Sequence, residues 1–260
     1  MNPIASMACA LLLVQAVPAE AGRSCEDKPL DVATVQQAMG LAERTAKQLD
    51  ASGAQVVLLA REGQDLSRYG LTWSHLGLAY RESPTTPWRV VHKLNTCGTA
   101  VAAVYRQGLG EFFLDRLWRY EAAIVIPTPE VQAKLLPVLS DNRRSAQWHT
   151  APYSMVSYAW GLSYQQSNQW ALETMAGAIE PAATTRQRAQ SWLQLHDYQP
   201  TALTIGPLTR LGGRMSQANI AFDDHPNAKR FSDRIETVTV DSVFRWIERS
   251  HLGGEMQVVQ

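Results

Sequence analysis

Residues 61–98 read REGQDLSRYGLTWSHLGLAYRESPTTPWRVVHKLNTCG, and two short runs inside them decide the architecture. Leu76-Gly77-Leu78-Ala79-Tyr80 and Trp88-Arg89-Val90-Val91-His92-Lys93-Leu94 are rich in strand-forming residues. The intervening Ser83-Pro84-Thr85-Thr86-Pro87 carries two prolines that forbid regular ladder pairing, so the runs are expected to form a β-hairpin with a loose loop. His75 opens the first run and His92 lies late in the second. A lone strand histidine is usually a satisfied polar residue. Two that antiparallel pairing can bring together at one end of a ribbon form a candidate site.

Upstream, residues 54–60 (AQVVLLA) are a continuous apolar run of strand length, which predicts a strand buried on both faces. Before it, residues 31–50 place Val32, Val35, Met39, Ala42, Ala46 and Leu49 at steps of three and four. That spacing predicts an amphipathic helix, with Asp31 as its N-cap and Gly53 just beyond its end. Downstream, residues 98–108 read as a helix ending near Gly108, residues 111–120 as a connector, and residues 121–126 (EAAIVI) as another buried strand. Thr128-Pro129-Glu130 starts a helix that runs to about Leu139. Further on, a helix over 184–196 with an exposed basic face, a strand over 202–205 and a turn or short helix over 208–215 are expected. Strands over 218–222 and 235–240 and a closing helix over 242–249 complete the reading.

Composition bounds the function. The chain has 260 residues, 45% of them hydrophobic and 18% charged, which is ordinary globular usage. Lys+Arg and Asp+Glu are equal at 24 each and no basic run occurs, so nucleic acid is not an expected partner. The N-terminal MNPIASMACALLLVQAVPAEAG has an apolar run ending in the A-x-A site Ala19-Glu20-Ala21, although its n-region lacks lysine and arginine. It is read as a cleaved signal peptide over 1–21, followed by a single domain over 22–260. Arg23 interrupts any lipoprotein motif before Cys25, so the exported product is expected in the periplasm or secreted, with no stable membrane anchor. Cleavage removes Cys9 and leaves Cys25 and Cys97, which in an oxidising compartment most simply form one disulfide. Closing so long a loop contributes roughly 3 to 5 kcal/mol in the chain-entropy model. The alternative makes Cys97 a thiolate nucleophile beside His92 or His75.

A second informative stretch is residues 152–178, PYSMVSYAWGLSYQQSNQWALETMAGA, a polar, tyrosine-rich segment that runs into a helix. Ser163-Tyr164-Gln165-Gln166 fits a capping box, so the helix is expected to begin near residues 163–165, with Ser167 in or beside its first turn. Unpaired N–H groups and the positive end of the helix dipole favour an oxyanion there, although Ser167, Asn168 and Gln169 in such a place are more often plain first-turn polar residues. Asp223-Asp224-His225-Pro226 offers Asp224 and His225 as secondary candidates, but such clusters are more often loops held by Asx turns, and no metal site is expected. No Gly-rich phosphate loop, G-x-S-x-G elbow or H-E-x-x-H occurs, so no cofactor is implied.

The segments GQDLSRYGLTWSHLGLAYRE, WRVVHKLNTCGT, YQQSNQW and NIAFDDHP resemble a family of uncharacterised exported bacterial proteins, the domain of unknown function 2145, over nearly all of the mature chain. An S-H-x-G strand, a polar residue on its partner strand and a later Y-x-x-x-S-N-x-W-like helix start also resemble the circularly permuted NlpC/P60 papain-like superfamily. That resemblance implies an α+β fold with a permuted papain-like core, an antiparallel sheet or partial barrel packed against helices. It also implies His75 as general base, His92 as its orienting partner and Ser167 at the nucleophile position, where the superfamily carries cysteine. The activity implied is a cell-envelope hydrolase or amidase acting on an amide or ester, with peptidoglycan peptides, lipid-linked acyl groups or an envelope protein as partners. The alternative is a non-catalytic binding protein that keeps a degenerate groove and uses Trp73, Trp88, Tyr158 and Trp170 as contacts.

Overall fold

The apolar run after the first helix becomes an inner strand of the main sheet. The computed structural model describes residues 29–260; the signal-peptide reading and Cys25 lie outside the described residues. Helix α1 (Val32–Ala51) is capped as the sequence predicts, with Asp31 accepting from the Thr34 N–H at 2.8 Å. Its buried face is shifted round the helix: Ala42 and Leu49 are covered as expected, joined by Ala38, Leu41 and Thr45, whereas Val32 is 74% exposed and Met39 is exposed too. Both stripes have helical spacing, and packing against α2 and β8 selects the one whose small residues allow close approach.

Strand β1 (Val56–Arg61) is buried throughout, as its uninterrupted apolar run requires. It pairs with β2 (His75–Tyr80), which pairs antiparallel with β3 (Arg89–Asn95), so the hairpin forms as read. Residues 102–108 are not helical. They form β4 (Ala102–Gly108), matched residue for residue against β3, because a seven-residue ladder outweighs the helix propensity of an alanine-rich segment. Short α2 (Leu109–Phe113) follows, then β5 (Ala122–Val125), α3 (Pro129–Leu139) with Thr128 as cap, and α4 (Asn142–Ser145).

Helix α5 (Ser167–Ile179) begins later than the 163–166 pattern suggests, because Gln166 supplies the cap: its side chain accepts from the Asn168 N–H at 2.8 Å. After α6 (Arg186–Leu195), β6 (Thr201–Thr204) and α7 (Pro207–Ser216), residues 218–222 form no strand. Isolated bonds hold them instead, Met155 N to Asn219 O and Ser154 Oγ to both backbone groups of Ala221. Short α8 (Asn227–Arg230) leads to β7 (Arg234–Thr237), which pairs antiparallel with β6; α9 (Val240–Arg249) and β8 (Gln257–Val259) end the chain.

Among the described residues the main sheet is six-stranded and antiparallel, in the order β4-β3-β2-β1-β5-β8. One face, with Val57, Leu59, Ala79 and Val90, packs on α1 and on Phe112 and Phe113 of α2. The other, with Leu58, Leu76, Leu78 and Val91, packs on Trp170, Leu172 and Met175 of α5 and on α3. The fold is α+β, an antiparallel sheet between helical layers. No helix among the described residues is long and apolar enough to cross a membrane.

Candidate functional site

Strand alternation sends neighbours His92 and Lys93 to opposite faces of β3, and each heads its own polar network. On the α2 face, His75 Nε2 lies 2.9 Å from His92 Nδ1, and His92 Nε2 lies 2.8 Å from Gln107 Oε1. A carbonyl oxygen only accepts, so His92 Nε2 donates to Gln107, His92 Nδ1 accepts, and His75 Nε2 donates to it. In a neutral His75 this order leaves the ring's basic lone pair on Nδ1. Burial, with a lesser contribution from the positive Arg61, lowers the His92 pKa to about 3, so this imidazole is neutral and serves as an acceptor. Phe112 packs on both rings at 5.9 and 5.1 Å between centroids. Gly77 makes that approach possible, since a Cβ there would stand 2.5 Å from Val90 and 3.1 Å from Phe112.

On the α5 face, Lys93 is fully buried and donates to Thr150 O at 2.7 Å and Gln165 Oε1 at 2.9 Å. Burial first, then the neighbouring Arg186, lowers its pKa to about 7, against the opposing pull of Glu173. Gln165 passes the network on to Glu173 Oε2 at 2.5 Å, and Glu173 is held by Arg186 Nε at 2.7 Å and Gln190 at 2.7 Å. Arg186 also donates to Thr150 and to the carbonyls of Gly161, Leu162 and Tyr164. The basic face expected on α6 therefore loses Arg186 to the interior, where it fastens the 150–164 segment onto α5.

Ser167 is the first residue of α5 and is buried, at 5% exposure. It lies beside the hydroxyl of Tyr153, whose pKa burial pushes up to about 12, so the phenol keeps its proton. Asn168 is a stitch: its Oδ1 accepts from the Leu76 N–H at 2.9 Å and its Nδ2 donates to Val238 O at 3.5 Å. That bond couples the residue after Ser167 to the residue after His75. Ser167 and His75, each the first residue of its element, line one cavity of ≈ 270 Å³ with Arg61, Lys93 and Tyr153. They reach it from different sides of the sheet, His75 from the layer of Phe112 and Ser167 from the end of α5.

The other sequence candidates fall outside this centre or at its edge. Cys97, just beyond β3, lines the same cavity. Asp224 Oδ1 is 3.0 Å from His225 Nδ1, its Oδ2 accepts from the Tyr158 N–H at 2.7 Å, and His225 Nε2 faces Glu236 O at 3.2 Å, so this pair braces a loop and neither residue lines the cavity at Ser167. Of the aromatic contact set, Trp170 is wholly buried, Trp88 is 6% exposed and donates to Asp50, Trp73 is 4% exposed and lines a second cavity beside Ser167, and Tyr158 is half-buried. No group of three His, Cys, Asp or Glu among the described residues is placed to hold a metal ion.

Sequence reasoning passed over Gln107, Tyr153 and Lys93. Reading residues 102–108 as a strand beside β3 would have put Gln107 two residues from the partner of His92. The lysine inside the apolar Val90-Val91-His92-Lys93-Leu94 run was a visible anomaly. Tyr153 gives no signal among its neighbouring tyrosines. The sequence matches the family described as uncharacterized proteins conserved in bacteria (DUF2145) over residues 48–247. No curated protein and no solved structure matches it.

Proposed function

We propose that this chain, which belongs to the DUF2145 family of proteins conserved in bacteria, is an exported acyl-transfer hydrolase of the cell envelope with a permuted papain-like core, cleaving an amide or ester. The observation that carries the reading is the Asn168 Oδ1 to Leu76 N–H bond, which joins the helix start bearing Ser167 to the strand start bearing His75 at a common cavity. Ser167 Oγ attacks the substrate carbonyl carbon and its proton passes to His75 Nδ1, while His92 and Gln107 hold the ring in the tautomer this requires. The oxyanion forms at the opening of α5, where the first-turn N–H groups lack intrahelical acceptors; Asn168 N–H is already engaged by Gln166, so the Ser167 N–H and the Tyr153 hydroxyl are the donors at hand. The C–N or C–O bond then breaks, the leaving group takes the proton from His75, and water releases the acyl group by the reverse relay. The chain's export also implies a Cys25–Cys97 bridge.

A non-catalytic envelope protein with the same cavity is the second reading, and the arrival of His75 and Ser167 from different sides of the sheet favours it. Incubation with p-nitrophenyl butyrate, followed by peptide mass mapping, decides between them. The expected result is a butyryl adduct on the Ser167 peptide, absent in Ser167→Ala and strongly reduced in His75→Ala. A folded wild type that reacts no faster than Ser167→Ala overturns the hydrolase.

A further inference from the structure

On α7 the large apolar side chains point away from the protein. At 3.6 residues per turn, Leu208, Leu211 and Met215 fall within roughly a 60° arc of this helix. They are 85%, 57% and 81% exposed, and no residue of the helix is buried. The other side carries Thr209 and Gly213, which line the second cavity; a Cβ on Gly213 would stand 3.5 Å from Ile220. A helix held by packing presents the reverse, with its apolar stripe turned inward. Arg210 Nη1 donates to Ile205 O at 2.5 Å and to Asp233 Oδ1 at 2.6 Å, which ties α7 to the turn after α8. Phe231 in that turn is exposed too, with the Arg230 guanidinium 4.9 Å from its ring centre.

We infer that the outer face of α7 docks on the surface of a bilayer that contains anionic lipid, with Leu208, Leu211 and Met215 entering the boundary between headgroups and acyl chains. Size argues against a protein partner, because three side chains on one helix cover far less than the about 800 Å² that each side of a stable interface buries. A bilayer demands no complementary shape and takes up apolar side chains singly. Charge argues for an anionic surface. Residues 205–222 carry Arg210 and Arg214 and no carboxylate, and residues 225–232 carry Lys229 and Arg230 and none. The nearby carboxylates are engaged: Asp224 is buried against His225, Asp233 pairs with Arg210, Glu236 pairs with Lys229 and Arg234, and Asp223 accepts from the Tyr164 hydroxyl at 3.3 Å. Arg214 and Arg230 are left over from these pairs, and Arg214 is exposed on the Leu211 side of the apolar arc. An apolar stripe flanked by positive charge is the pattern of a helix that lies in the membrane interface. The docking is peripheral and needs no turnover, so it stands apart from the hydrolase reading.

The test uses the processed chain from Gly22, freed of an apolar leader that would add lipid affinity of its own, in co-sedimentation with vesicles. Saturable partition onto equal parts phosphatidylglycerol and phosphatidylcholine is expected. It should weaken about tenfold on phosphatidylcholine alone, and equally in about 1 M salt, where the Debye length is about 3 Å. Leu211→Glu with Met215→Glu should weaken it at least tenfold at an unchanged melting temperature, since both positions are exposed. Leu208→Gln, at the most exposed of the three, gives the same direction of change should the double variant unfold. Arg214→Gln should cost about fivefold. Absence of partition by folded wild type overturns the inference, and partition that none of these substitutions weakens overturns its location. Equal partition onto both vesicle types overturns the anionic surface. A concentration-dependent dimer in sedimentation that the double variant abolishes makes the face a contact between two copies and overturns the lipid as occupant.

Discussion

His92 and Lys93 are adjacent in sequence, fully buried and far from their ordinary ionisation, yet they face opposite layers and solve burial differently. His92 stays neutral by giving one proton to Gln107 and accepting one from His75, in a layer otherwise made of Phe112, Val90 and the α1 face. Lys93 sits in a dense polar web whose charges are Glu173 and Arg186. The first arrangement fixes the hydrogen-bond order of two imidazoles. The second is a scaffold: it ties the segment that delivers Tyr153 and Ser167 to the helix that begins there.

The scaffold is the place where the contrast breaks most visibly. Glu173→Ala removes the counter-charge of a buried guanidinium and the acceptor of Gln165 and Gln190, so a loss of about 3 to 5 kcal/mol is expected in chemical denaturation, with the 150–164 segment losing hydrogen-exchange protection first. The relay layer should keep its protection until global unfolding. Equal loss of protection on both faces would show that the two networks are a single unit.

Ionisation sharpens the same contrast. For both groups the unfolded chain holds its proton to a higher pH than the folded one, so stability rises with pH through each window. For His92 that window runs from about 3 up to the ordinary 6.5, and for Lys93 from about 7 up to the ordinary 10.5. Each contributes on the order of 2 to 3 kcal/mol across its window, below the full conversion of the shift because neighbouring acceptors and relaxation soften it. Lys93→Met should flatten the rise of unfolding free energy above pH 7 and leave the acid limb intact, while His92→Asn should flatten the acid limb alone. A Lys93→Met profile that still climbs between pH 7 and 10 assigns the alkaline limb elsewhere.

How much of this was legible follows from which forces are local. The hairpin and the His75–His92 contact were readable because β-branched runs and a proline-broken loop state their own pairing. The Thr128-Pro129 helix start and the Asp31 cap were readable for the same reason: a cap closes within three residues. Residues 102–108 were misread because alanine favours helix locally, whereas the partner that makes them a strand lies across a turn. The same holds for α5, whose start is decided by a Gln166 side chain that also donates to Val238 O, seventy-two residues away. The buried pairing of Arg186 with Glu173 has no local signature at all, since each reads alone as an ordinary helix-surface charge.

Gln107 is the sharpest probe of the relay because it touches His92 and not the cavity. Gln107→Leu fills the same space and removes the acceptor, so His92 Nε2 loses its only stated reason to hold the proton. Stability should fall by about 1 to 2 kcal/mol, the cost of leaving a buried N–H unmatched. The tautomer preference of His92 should weaken with it, and with it the donation from His75 Nε2 that keeps the lone pair on Nδ1. Nitrogen-15 chemical shifts of the two rings read this directly: in the wild type His92 should carry its proton on Nε2, and in Gln107→Leu the shifts should move towards a mixture. Gln107→Glu, which retains an acceptor, should restore the wild-type pattern. Unchanged ring shifts in Gln107→Leu would separate the two histidines from any relay and leave their contact a matter of packing on Phe112.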